Sequence, residues 1–159
     1  MRTLVFRTFF GLGIGLLLPG TLSGCASTKS ATSAQPTTAL YDRLGGLPAI
    51  SAVVDDFMQN IAADERVNAR FAGADLTRLR QKLIDLVCQA SGGPCVYKGL
   101  SMKAAHQGMH LRDSDFDAVA GDLQASLVKF KVPAREQGEL LSVVGSLRPQ
   151  IVNDGVSSN

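Results

Sequence analysis

Four apolar stripes at helical spacing run through the chain between residues 50 and 151. Ile50, Val53, Val54, Phe57, Met58 and Ile61 recur at steps of three and four after Gly45-Gly46-Leu47-Pro48. That period sets them on one helix face. Pro48 suits a first helical turn, where its missing N–H would be unpaired anyway. Leu76, Leu79, Leu83, Leu86, Val87 and Ala90 form a second stripe, which Gly92-Gly93-Pro94 ends. Phe116, Val119, Ala120, Leu123, Leu127 and Phe130 form a third, and Asp113-Ser114-Asp115 supplies cap and first-turn residues before it. Pro133 opens a fourth, which carries Leu140, Leu141, Val144, Leu147 and Ile151. No segment alternates with the period of two that a half-buried strand requires. The pattern therefore predicts an all-α domain. Leu40–Leu44 and Asp64–Phe71 predict single turns. Residues Val96 to Leu111 are poorly periodic, with room for one short helix near Ser101–Gln107.

The N-terminal segment follows a different pattern. Arg2 and Arg7 precede an apolar run from Phe9 to Leu18, broken by Pro19-Gly20. The run is too short to span a bilayer but suits the core of a signal peptide. Leu22-Ser23-Gly24-Cys25 follows, and it resembles a bacterial lipobox, in which cleavage precedes a cysteine that receives a lipid. Residues 1–24 are then a lipoprotein signal peptide, and residues 25–39 a tether beginning at lipidated Cys25. Ser, Thr and Ala dominate that tether, a composition that builds no core. Two or more acyl chains would hold the protein on a membrane surface, where one chain holds only marginally. The expected location is periplasmic, lipid-anchored to a bacterial membrane. Ala26, rather than an aspartate, favours the outer membrane by analogy with lipoprotein sorting. Residues 40–154 are left as one domain, large enough for one modest core.

Processing alters the charge balance. The chain has 16 basic and 14 acidic residues, and two of the basic ones, Arg2 and Arg7, lie in the signal. The mature protein is close to neutral. That removes the case for nucleic acid, which needs a clustered basic face. Cys88 and Cys95 flank the reversal Ser91-Gly92-Gly93-Pro94. In an exported protein this predicts a structural disulfide, since oxidising compartments preserve such bonds. The spacing does not match the Cys-x-x-Cys of metal or redox pairs.

His106 is the residue most suited to chemistry. It sits in the loosely periodic segment after the glycine break, within Met102-Lys103-Ala104-Ala105-His106-Gln107-Gly108-Met109. Neutral imidazole is a good iron ligand, and a single one suffices where the opposite face must stay open to a gas. Taken alone, such a histidine is usually a surface or hydrogen-bonded residue. His110 is its one competitor and is expected to face solvent.

The ordered motifs bear on that choice. They are Leu40-Tyr41-Asp42-Arg43-Leu44-Gly45-Gly46, Val53-Val54-Asp55-Asp56-Phe57, Phe71, Gly92-Gly93-Pro94 with Tyr97 and Gly99, Met102-Lys103, Ala105-His106-Gln107-Gly108-Met109 and Asp115-Phe116. Together they resemble a group I truncated haemoglobin, a two-over-two helical sandwich around haem b. The resemblance spans Leu40 to about Val152. It implies that His106 is the proximal ligand of haem iron and that Phe71 packs on the porphyrin face. It also implies that Met102 lines the proximal side and Leu79 the distal side.

The chain departs from the family on the distal side. Many members carry a tyrosine after the Phe57 position and a glutamine on the facing helix, both donors to bound dioxygen. Met58 and Leu83 stand there instead. A hydrogen bond to so charged a ligand contributes about 1.5–3 kcal/mol, and 1.4 kcal/mol is tenfold in a rate or equilibrium. Without it, dioxygen should leave about ten- to a hundredfold faster, with CO and NO less affected. Met58 either fills space or approaches the iron as a sixth ligand, and a one-residue slip would bring Gln59 or Gln81 inward. The resemblance implies a haem protein that binds O2, NO or CO at the cell envelope, with a reductase that the sequence does not identify. The alternatives are NO or peroxide detoxification, electron transfer, or a cofactor-free helical lipoprotein that binds partners. No general acid is placed near the expected distal side, which argues against an evolved peroxidase.

Overall fold

A computed structural model describes residues 38–153. The signal peptide, Cys25 and nearly all of the tether therefore lie outside the described residues. Those described are helical, with no strand among them. The elements are α1 (Leu40–Arg43), α2 (Gly46–Ala63), a 3-10 turn (Asn68–Phe71), α3 (Leu76–Ala90), α4 (Met102–Ala105), α5 (Asp113–Lys129), α6 (Ala134–Gly145) and α7 (Arg148–Ile151). None of these helices is long and apolar enough to cross a membrane.

α2 is the centre of the fold because it is apolar on two sides. One side buries Val53, Phe57 and Ile61 against Leu123 and Leu127 of α5 and Leu140 of α6. The other buries Ile50 and Val54 against Ile84 and Cys88 of α3. Each such side chain contributes about 1.5–3 kcal/mol when fully removed from water. The α2–α3 pair over the α5–α6 pair makes the two-over-two sandwich.

Polar groups also enter the α2–α5 interface. Asn60 Nδ2 donates to Ser126 Oγ at 2.9 Å and to the Asp122 carbonyl at 3.3 Å. Asp56 is buried and pairs with Lys129. Asp122 Oδ2 is buried without a partner among the described residues. Burial is the main cause that pushes the Asp122 carboxyl above its usual range, and the nearby Asp64 adds to it.

Three expectations need correction. The fourth stripe is two helices, because Pro149 in the first turn of α7 cannot extend α6. Its ring would meet the carbonyl four residues back, and it has no N–H to donate. Phe130 lies just past α5 and is exposed, not core. The buried face of α3 is Ile84 and Cys88, whereas Leu76 is exposed and Leu79, Leu83, Leu86 and Val87 are only half-buried. The stripe on α3 is thus wider than the face that α2 covers. The turns at Leu40–Arg43 and Asn68–Phe71 and the short helix at Met102–Ala105 agree with the pattern.

Cys88 and Cys95 form a disulfide, with Cα atoms 5.7 Å apart. It closes the reversal after α3, where Gly92 has φ +85°, a left-handed conformation that favours glycine. A Cβ on Gly93 would lie 2.8 Å from the Cys88 carbonyl oxygen and would also overlap Tyr41. Tyr41 N donates to the Ser91 carbonyl at 2.8 Å, so α1 is pinned onto this turn.

Candidate functional site

His106 follows α4 as its C-cap residue and is half-buried. Four residues are too few to hold a helix by themselves. Ser101 Oγ accepts the Ala104 N–H at 3.2 Å, and α7 packs alongside. This turn sets His106 Nδ1 2.7 Å from the Met102 carbonyl oxygen. A carbonyl can only accept, so Nδ1 carries the ring hydrogen. In the neutral ring the lone pair then belongs to Nε2, which has no hydrogen-bond partner among the described residues. A ring nitrogen held by a carbonyl while the other stands free is how proteins orient metal-ligating histidines. His110 is exposed, at φ +50°.

The other candidates fall into two groups. Met58 and Phe71 line one cleft of about 220 Å³, together with Ile61, Ala62, Asn68 and Leu76 among others. Leu79, Leu83, Met102 and His106 do not line that cleft. Leu79 and Leu83 are half-buried on α3, and Leu83 packs against both core clusters. Met102 is half-buried at the start of α4. Arg70 on the 3-10 turn, next to Phe71 in the chain, reaches the loop after His106. It donates to the Met109 carbonyl at 3.3 Å and to Asp115 Oδ2 at 3.2 Å. Asp115 also accepts the Arg112 N–H at 2.8 Å. That bond is the main cause that holds its carboxyl below the usual range, and the Arg70 and Arg112 guanidiniums reinforce it.

Neither of the donors that a one-residue slip would bring inward is turned inward in this structure. Gln59 and Gln81 are both exposed, and Gln81 Nε2 donates to Asp85 Oδ1 at 2.9 Å on the outer face of α3. Three residues near the site escaped the sequence pattern: Arg70, Asn68 and Asn153. Asn153 Nδ2 donates to the His106 carbonyl at 2.7 Å. Isolated polar residues in turns have no period to announce them, and Asn153 is 47 positions from His106.

Comparison with known proteins decides the family. The model of the bacterial-like globin family matches residues 39–153. The chain belongs to the bacterial-like globins. Within them it is a group 1 truncated haemoglobin. The group 1 truncated hemoglobin GlbN of Mycolicibacterium paratuberculosis is 36% identical over 118 residues, 74% of this chain and 86% of that one. Truncated hemoglobin from Tetrahymena pyriformis in its Fe(III) form superposes with a TM-score of 0.71 at 33% identity, over 73% of this chain and 99% of that one. The 2/2 hemoglobin of a Synechococcus species, solved in the cyanomet state with covalently attached heme, gives 0.69 at 34% identity over 73% and 99%.

Haem iron is the cofactor of this family, and the residues of this truncated haemoglobin fit it. The described residues contain no cluster of three or more His, Cys, Asp or Glu able to hold a metal ion. A lone imidazole with a free Nε2 suits a metal whose equatorial donors come from a macrocycle. A large planar group would also cover apolar side chains now open to water. Leu76, which lines the cleft, is 51% exposed.

Proposed function

We propose that this truncated haemoglobin binds diatomic gases at haem iron, with His106 as the proximal ligand. The observation that carries the reading is the His106 Nδ1 contact of 2.7 Å to the Met102 carbonyl. It fixes the tautomer whose Nε2 can donate to iron, and it makes that nitrogen more electron-rich. Phe71 and Met102 would pack against the macrocycle. When bound, the haem would supply the iron at which O2, NO or CO binds. On the facing side Met58, Leu79 and Leu83 offer no hydrogen-bond donor, and Met58 lines the cleft with Ile61 and Leu76. A dioxygen ligand therefore lacks the stabilisation that a tyrosine or glutamine would give, and the protein is not a high-affinity oxygen store.

The reading extends to location. The apolar run Phe9–Leu18 and Leu22-Ser23-Gly24-Cys25 support a lipid anchor at Cys25 on the periplasmic side of a bacterial membrane, reached by an electron-donating reductase. The Cys88–Cys95 disulfide suits such an oxidising compartment. Loss of metabolic palmitate labelling in Cys25→Ala is the expected outcome, and labelling that persists would remove the anchor.

The deciding experiment is an absorption spectrum of purified protein, ferric and ferrous, with and without CO. The wild type should show an intense haem band that sharpens and shifts with CO. His106→Ala should lose tight haem binding, and a spectrum unchanged in that variant would overturn the assignment.

A further inference from the structure

We propose that Asn153 is a positioning residue for the axial histidine, an inference that rests on the reading of His106 as iron ligand. Its side chain works in both directions. Nδ2 donates to the His106 carbonyl at 2.7 Å, and Oδ1 accepts the Leu111 N–H at 2.8 Å. Its own N–H donates to the Leu111 carbonyl at 2.9 Å. These three bonds bracket residues 106–111, where Gly108 at φ +76° and His110 at φ +50° turn the chain.

Beyond Asn153, Arg70 holds that turn by donating to the Met109 carbonyl at 3.3 Å. The turn's internal backbone bond runs from Met109 N–H to the His106 carbonyl at 3.2 Å. Asn153 reaches it from a braced support. Arg148 on α7 donates to Asp113 Oδ1 at 2.6 Å, pairs with Asp117, and lies 4.3 Å from the centroid of the Phe116 ring. All three partners are on α5, so the register of α5 is passed through α7 to the backbone of His106. The imidazole is then held twice. Met102 of α4 holds Nδ1, and Asn153 holds the peptide from which the ring projects. Only the backbone ψ and two side-chain torsions separate that carbonyl from Nε2, so moving the carbonyl changes the orientation of the ring and its lone pair.

Asn153→Asp separates positioning from folding. It keeps an acceptor for the Leu111 N–H and removes the donor to the His106 carbonyl. The test uses full-length holoprotein as wild type, Asn153→Asp and Asn153→Ala. Three quantities are read: the iron–imidazole stretching band of the ferrous form, haemin transfer to excess apomyoglobin, and the melting temperature. Both variants should shift or broaden the band and lose haemin about tenfold faster, with Asn153→Asp melting close to wild type. A purely structural role would lower the melting temperature and leave the band in place, which would overturn the proposal. An unchanged band and wild-type haemin loss in Asn153→Asp would overturn it too. His106→Gly with added imidazole isolates the underlying reading. A band that vanishes in that variant and returns with imidazole upholds His106 as ligand, so a failure of Asn153 is then its own. A band that persists without imidazole defeats both.

Discussion

His106 and Met58 are held by different means. Met58 is one position in an eighteen-residue helix, and its backbone is set by the helix ladder and by the two apolar faces of α2. His106 sits past the end of a four-residue helix, in a segment held mainly by individual polar contacts from Ser101, Met102, Asn153 and Arg70, with α7 packed alongside. The helical side tolerates side-chain exchange because its backbone does not depend on the residue at 58. The loop side does not, because its tethers are mainly single polar groups. Chemistry that needs one fixed lone pair is built where every contact is specific. Chemistry that is tuned by filling or emptying space is built on a packed helix.

The largest effect expected is on the helical side. Met58→Tyr, alone or with Leu83→Gln, should restore a donor and slow dioxygen release about ten- to a hundredfold. CO release should change far less, as followed by flash photolysis and stopped flow. Slow release already in the wild type would break the comparison. Asn68→Ala would then show whether the cleft-lining Asn68 supplies the donor.

The next effect is on the loop side. Replacing Cys88 and Cys95 by serine should cost about 2.4 kcal/mol, from the entropy of closing so short a loop. In a domain of this size that is roughly 8 °C in melting temperature. Haem retention should fall with it, because the reversal leads into the segment that presents His106. Equal haem retention in the reduced protein would show that α4 is positioned without the disulfide.

Asp122 sharpens the contrast from within the packed side. Its buried carboxyl has an unpartnered oxygen, and its proton affinity is raised by burial and by Asp64. A raised carboxyl pKa favours the folded state at low pH and weighs against it once the group ionises. Asp122→Asn should therefore stabilise the protein at neutral pH by about 1 kcal/mol, with the gain shrinking as pH falls. Thermal melts at two pH values check it.

Asp115 behaves in the opposite sense. The Arg112 N–H and the Arg70 and Arg112 guanidiniums hold its carboxyl low. Its contribution is full above the ordinary carboxylate range, near pH 4, and is lost as pH falls through the depressed value. Asp115→Asn should lessen the acid limb of the stability profile by its own share, since Asp55, Asp56, Asp64 and Glu139 are held low as well. Melts that remain equally acid-sensitive would remove Asp115 as a cause.

The all-α class and the disulfide pair were legible in the residues. Helical periodicity is a local property, and burial of one face follows from it wherever packing is available. Helix α3 shows the limit. Its stripe from Leu76 to Leu86 reads as core, yet only Ile84 and Cys88 are fully buried, Leu83 and Val87 pack partly buried beside them, and Leu76 is exposed. The period says that a face is apolar and not what covers it. Likewise the fourth stripe continues past Pro149, and the break between α6 and α7 is a backbone event that side-chain spacing does not record.

The sequence by itself determined the helices, the reversal that the cysteines close, and a single histidine with no rival of equal standing. Each depends on residues near one another in the chain. The Nδ1 contact to the Met102 carbonyl is local, but the tertiary structure alone placed the His106 carbonyl on Asn153 and the loop on Arg70. The last two contacts join residues 47 and 39 positions apart. Such hydrogen bonds carry no period and no composition signal, because they arise only when packing has brought separate segments together.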